Sequence, residues 1–224
     1  MKIKKIYDLT HPFYHNCPGW PDFDPPTVNR WKYQPRDICN VEWFEANTHT
    51  GTHVDAPYHF IPDGKTLDQV PMDTWVGEGV VVDVSYKKDK EAVTAEDLEK
   101  IAQHVQKDDI VMLYTGRGKL RGFTDKYLKD WPSVDESGAK WLVERGAKVV
   151  GTDGLGIEMY GFPPDGQPRV HNAFLGAGVC LVEEAFLEDI AVFGKKRWFF
   201  VCAPLLLKGA GGCFARIIAI DEDN

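Results

Sequence analysis

Residues 49–59 read HTGTHVDAPYH and constrain the fold more than any other stretch, because three of the chain's seven histidines and Asp55 fall within them. His49, Gly51, His53, Asp55 and His59 are separated by even steps, so an extended strand would turn them all to one face. A straight strand rises roughly 3.3 Å per residue and would hold His49 and Asp55 about 20 Å apart, beyond the reach of one ion. A helix would bring His49 and His53 together, as in the zinc-protease HExxH pattern. However, Gly51, Thr52, Val54 and Pro57 are poor helix residues, and Thr50 stands where that pattern carries its general-base Glu. A strand followed by a bend satisfies both limits. Gly51 admits a positive φ or a close backbone approach, and Pro57 ends the ladder and turns the chain toward His59.

Mixed imidazole and carboxylate donors suit Zn, Mn, Fe or Co, and the lack of cysteine among them argues against a closed structural zinc site. The segment therefore reads as a catalytic divalent-metal centre. Net charge is −8 over 224 residues, which leaves no basic surface for nucleic acid or an anionic membrane, so the expected partner is a small molecule. The opening MKIKKIYDLTHPF has no apolar core like that of a signal peptide, and no apolar run approaches the roughly 20 residues of a membrane helix. A cytoplasmic protein of one domain, residues 1–224, is expected. Cys17, Cys39, Cys180, Cys202 and Cys213 are scattered and read as reduced thiols.

Short β-rich runs dominate the chain: KIYDL, VEWFEANTHT, GEGVVVDVSY, DIVMLYTG, AKVVGTDG, RWFFVCAPLLL and FARIIAIDED. Two helices stand between them. TAEDLEKIAQHVQ has a Thr94 cap and apolar Leu98, Ile101, Ala102 and Val105 at helical spacing. DESGAKWLVERG places Ala139, Leu142 and Val143 on one face and stops at Gly146. Residues 94–155 thus alternate helix and strand as in an α/β layered unit, whereas 115–134 and 158–170 read as long loops.

His171 opens HNAFLGAGVCLVEEA, an apolar run closed by Glu183 and Glu184 at a point where strand-end carboxylates often face a site. Solvated residues at a helix start are the alternative for that pair. No GxSxG is present, and Ser85, Ser133 and Ser137 lie away from any His or Asp constellation, which excludes a serine hydrolase. GTDGLG lacks the GxGxxG spacing of a dinucleotide site. Trp20, Trp43 and Phe44 are candidates for clasping an aromatic or cyclic substrate.

His49, Gly51, Thr52, His53, Asp55, Pro57 and His59 match every fixed position of HxGTHxDxPxH, the signature of the cyclase family of metal-dependent hydrolases, which this chain resembles. The family includes bacterial kynurenine formamidase and isatin hydrolase. The likeness continues through IYDLTHPFYHNCPGWP, VMLYTGRG, GAKWLVERGAKVVGTDGLGIE and CAPLLLKGAGGCFARIIAI, the last with Gly211, Gly212, Ala215 and Arg216 in the expected order. Departures are the absence of a Ser in GTDGLGIE and the loop carrying Lys119, Arg121 and Lys126, which looks particular to this chain.

The resemblance implies an α/β protein: a swivelling β/β/α fold with a central mixed sheet flanked by helices, assembled as a homo-oligomer, dimer or tetramer. It implies one or two divalent ions, Zn or Mn. His49, His53 and Asp55 would hold one, with Asp55 bridging to a second held by His171 and Glu183. His59 would transfer protons and Trp20 would stand at the site entrance against the substrate. The implied activity is hydrolysis of the C–N bond of a small amide, formanilide or lactam by metal-activated water, with N-formylkynurenine as the first named substrate. A lactone or carbamate hydrolase on the same scaffold and a non-catalytic metal-dependent binding protein are the alternatives.

Overall fold

The structure is a computed structural model that describes residues 2–161 and 165–222, so part of the expected loop 158–170 lies outside the described residues. In chain order, β1 (Ile3–Asp8) precedes a hairpin of β2 (Thr27–Lys32) and β3 (Val41–Glu45), then β4 (His53–Asp55) and β5 (Val76–Asp83). The alternating unit follows as β6 (Ala92–Val93), α1 (Ala95–Ile101), β7 (Ile110–Tyr114), α2 (Asp125–Leu128), β8 (Ser133–Val134), α3 (Glu136–Glu144) and β9 (Val149–Thr152). The remaining elements are α4 (Arg169–Gly176), β10 (Cys180–Glu183), α5 (Glu188–Ala191), β11 (Arg197–Pro204) and β12 (Gly212–Glu222).

The main sheet runs β1-β12-β11-β5-β7-β9-β10-β4, and β4 also pairs with β12. That second pairing closes the strands from β12 round to β4 into a barrel-like ring, with β1 added outside on β12. The sheet is mixed, as expected: β5, β7, β9 and β10 are parallel neighbours, while β4, β11 and β12 pair antiparallel.

Alternation along the strands divides the apolar residues between two cores. Val54, Val81, Met112, Val149, Val182, Phe200 and Ile217 converge from around the ring into one cluster, its interior. Val80, Val82, Val111, Leu113, Val150 and Leu181 face the other way and pack on Leu98, Leu142 and Phe174 of the helices. Both predicted helices form at their caps. The Thr94 side chain accepts from the Asp97 amide at 3.2 Å while Asp97 accepts back from the Thr94 amide at 2.8 Å, and Asp135 accepts from Gly138 at 2.8 Å. Gly146 ends the second helix at φ +80.

Local expectations change in places: the first helix ends at Ile101, short of Val105. Segment 115–134, read as loop, contains the short helix α2 and strand β8, because Tyr127 and Trp131 bury their rings and draw this stretch onto the body. The run VEWFEANTHT is strand only to Glu45; it pairs with the unforeseen β2 in a hairpin apart from the main sheet, where Trp31 and Trp43 are each 65% exposed. No helix among the described residues is long and apolar enough to cross a membrane.

Candidate metal centre

The bend required by residues 49–59 is present. Gly51 has φ +71, β4 spans His53–Asp55, and Pro57–His59 forms one turn of 3-10 helix. Within β4, His53 and Asp55 share a face while Val54 points into the barrel core. Two neighbours hold the strand in register: His53 lies opposite Glu183 of β10, and Asp55 lies opposite Gly212 of β12. The Gly51 turn folds His49 back so that Nδ1 is 2.8 Å from Asp55 Oδ1. His59 returns from the Pro57 turn and stacks on His49, with ring centroids 3.9 Å apart. Helix α4 brings His171 to the same place, its Nε2 3.4 Å from Glu183 Oε1. Every residue expected at the centre is therefore assembled there.

The ring orientations suit cation binding. His53 Nδ1 is 2.7 Å from the Gly51 carbonyl and donates to it, which leaves Nε2 facing Asp55 at 3.5 Å and Glu183 at 3.6 Å. His171 repeats the arrangement: Nδ1 is 2.8 Å from Glu158 Oε2 and Nε2 is turned to Glu183. Among the described residues two groups have donor atoms within 4.8 Å of one another, His49 with Asp55 and His59, and His53 with Asp55 and Glu183. Asp55 belongs to both, as a bridging carboxylate would. His59 stands in the first group, close enough to offer a donor as well as a proton acceptor.

Carboxylates and imidazoles at the centre shift one another strongly. Burial would raise the Asp55 carboxyl, but His59, His49 and His53 outweigh it and hold the group far below the usual carboxylate range. Burial would lower His171, yet the hydrogen bonds of Glu158 and Glu183 push it up to about 10, and Asp55 and Glu183 likewise raise His53. His59 is driven down, to about 3, chiefly by burial and further by the neighbouring imidazoles, against the pull of Asp55. A divalent ion held by these groups would supply positive charge in place of those protons. Asp55 Oδ2 is buried and has no hydrogen-bond partner among the described residues. An orphaned carboxylate oxygen at the junction of two donor groups fits a bound cation.

The centre forms the floor of a cavity of about 200 Å3 walled by Trp20, Phe23, Phe60 and Leu155. Trp20, in that wall, is braced by Trp131 and Tyr160. Trp43 and Phe44 do not line this cavity. They lie on the exposed hairpin, where Phe44 meets Phe13 and Phe214.

Of the adjacent pair Glu183 and Glu184, the first faces the histidines and accepts the Ile157 amide at 2.7 Å. Neither is solvated: Glu184 is completely buried and turned away to Arg121, Tyr127 and the Gly51 amide. Glu158 is the residue that sequence reasoning missed. It also accepts the amides of Val170 and His171, so it anchors the start of α4, and nothing in its local sequence marks it. The glycines of the last hairpin have a steric purpose. A Cβ at Gly212 would strike the Val54 carbonyl and come within 2.6 Å of His49 Cε1, and one at Gly211 would come within 2.9 Å of His59 Cα.

A barrel-like mixed α/β fold with a His and carboxylate centre beneath an aromatic pocket defines the class, that of metal-dependent hydrolase folds. Residues 7–159 match the cyclase family, and the chain belongs to it. Among curated relatives, kynurenine formamidase of Bacillus cereus is 25% identical over 219 residues, covering 97% of this chain and 98% of that one. A solved structure of a potential metal-dependent hydrolase with cyclase activity superposes with TM-score 0.79 at 27% identity, covering 98% of this chain and 99% of the other. Isatin hydrolase A from Labrenzia aggregata, bound to benzyl benzoate, gives TM-score 0.84 at 25% identity over 96% of this chain and 93% of its own.

Proposed function

We propose that this chain hydrolyses the C–N bond of a small non-peptide amide, formanilide or lactam, with N-formylkynurenine the first substrate to test. The observation that carries the reading is the buried, unpartnered Asp55 Oδ2, shared between two donor groups that open into the aromatic pocket. His49, His53, Asp55, His171 and Glu183 would hold one or two divalent ions, Zn or Mn. Such an ion lowers the pKa of water from about 15.7 toward 7 and polarises a carbonyl oxygen.

The chain's own groups do the rest. Trp20, Phe23 and Phe60 clasp a planar ring and exclude water around the scissile bond. His59 lines the same cavity and is the candidate to take the attacking water's proton and deliver it to the leaving amine. Kinship with a kynurenine formamidase and an isatin hydrolase supports C–N bond hydrolysis of aromatic substrates.

Metal analysis of protein purified without chelator, followed by assay of the Zn- and Mn-loaded forms on formanilide, N-formylkynurenine, isatin, a lactone and a carbamate, tests the proposal. Turnover of an amide or lactam is expected. Turnover of only the lactone or carbamate transfers the scaffold to C–O chemistry, and binding without turnover of any of them leaves a non-catalytic binding protein.

We read residues 1–224 as one domain that assembles as a homodimer or tetramer. The exposed Trp31, Trp43 and Phe44 on a two-stranded hairpin outside the main sheet support assembly, since few contacts within the chain cover its aromatic face. A monomeric mass by light scattering at micromolar concentration would overturn it.

A further inference from the structure

Arg121 closes a one-turn 3-10 helix, Gly118–Leu120, and its side chain is only 7% exposed. Its Nε donates to Glu184 Oε2 at 3.1 Å. The other two guanidinium nitrogens reach a different part of the chain: Nη1 donates to the Pro12 carbonyl at 3.3 Å and Nη2 to the Pro18 carbonyl at 3.2 Å. Pro18 immediately precedes Gly19 and Trp20, the pocket's aromatic wall.

Glu184 collects the opposite side. Its Oε1 accepts the Gly51 amide at 3.0 Å, its Oε2 accepts the Tyr127 hydroxyl at 2.7 Å, and its carbonyl accepts the Thr52 hydroxyl at 2.6 Å. Glu184 adopts φ +53, a left-handed conformation uncommon for a residue with a side chain. The twist sends its carboxylate beneath the Gly51 turn while neighbouring Glu183 faces the histidines. One guanidinium fork thereby ties together three segments: the approach to Trp20, the turn between His49 and His53, and the end of β10.

We propose that Arg121 is a positioning residue which, through Glu184, sets the Gly51 turn and the Trp20 wall in one frame. It thereby determines how the substrate's ring stands over the metal-binding side chains. The proposal rests on the reading of the pocket given above for what the wall and the turn hold. A buried ion pair is weak evidence for stability by itself, since desolvation offsets much of the attraction. Its geometric content here is the rigid spread of donors, which lysine cannot reproduce.

Two variants test the pair by hydrogen exchange, Zn2+ titration and kinetics on formanilide. Arg121→Lys keeps a charge beside Glu184 but cannot also reach the Pro12 and Pro18 carbonyls. Amide exchange in residues 16–22 is expected to quicken roughly tenfold and KM to rise roughly tenfold, with kcat and Zn2+ affinity within about threefold of wild type. Glu184→Gln must set its amide against one of the donors from Gly51, Tyr127 and Arg121. Exchange in residues 51–53 is expected to quicken and Zn2+ affinity to fall by roughly 10–100-fold.

A pair that merely stabilises the fold would lower both melting temperatures and leave exchange at the two places, Zn2+ affinity and KM unchanged, and that result overturns the proposal. If the Zn-loaded wild type hydrolyses no formanilide, the functional reading fails by itself. Exchange and Zn2+ titration then still decide whether Arg121 and Glu184 position the two segments.

Discussion

The imidazole of His53 faces the carboxylate of Glu183 across neighbouring antiparallel strands, with Nε2 3.6 Å from Oε2. The pairing places one half of residues 49–59 against a group far along the chain, and Asp55, two positions on and on the same face, joins both to His49. The central role of Asp55 leads to the first prediction. Asp55→Asn removes the shared negative charge, so Zn2+ affinity should fall by more than about a hundredfold, beyond what loss of a supporting residue costs. Metal content after dialysis checks this, and a variant retaining stoichiometric metal would remove Asp55 from the ligand set. Loss of metal with a retained melting profile would mark a functional site, and unfolding on metal loss a structural one.

Glu158 orients His171 without standing in either donor group. Replacing it with Gln puts an amide where a carboxylate now accepts from the imidazole and two backbone amides. Zn2+ binding should weaken by roughly 10–100-fold, and the loss should be largest for any second ion. Isothermal titration of the two forms would show it, and identical isotherms would exclude the role.

Gly212 has no room for a methyl group because the Val54 backbone and the His49 ring occupy it. Backbone cannot yield as a flexible side chain can, so Gly212→Ala should destabilise the protein by about 1–3 kcal/mol and displace His49. Urea unfolding reads the first effect, and metal affinity the second. A variant with wild-type values for both would show that β12 shifts freely.

Asp153 is buried just past the end of β9, accepting from Thr115 and Gly118, and burial outweighs those bonds to push its carboxyl up to about 6. A raised carboxyl binds its proton more tightly in the folded state, so folding is favoured below pH about 4 and the advantage is lost as pH rises through about 6. Relative to Asp153→Asn, the wild type should therefore lose up to roughly 3 kcal/mol between those limits. Unfolding midpoints of both proteins from pH 4 to 7 test the sign. A difference that stays constant across the range would contradict it.

His59 lies in the pocket against His49. If it moves protons and does not hold the ion, His59→Gln should keep most of the bound metal and lower kcat by roughly 10²–10⁴ with little change in KM. Loss of metal in parallel with activity would assign His59 to the ligands.

Local chemistry was sufficient to read much of this protein. The ligand types, the strand-then-bend at Gly51 and Pro57, both capped helices and the alternating unit follow from spacing, φ preferences and side-chain caps acting within a few residues. His171 and the Glu183–Glu184 pair stood out in their own run, family resemblance paired His171 with Glu183, and the structure brings both to the cluster. Tertiary structure alone decided what depends on contacts between distant segments. It closed β4 between β10 and β12, which fixed which face His53 and Asp55 present. It recruited Glu158 to His171 and Glu184 to Gly51, and it left Trp43 and Phe44 on the hairpin, away from the pocket. A carboxylate's sequence neighbours reveal its charge but not its partner, because the partner is set by strand register and helix docking across the whole barrel.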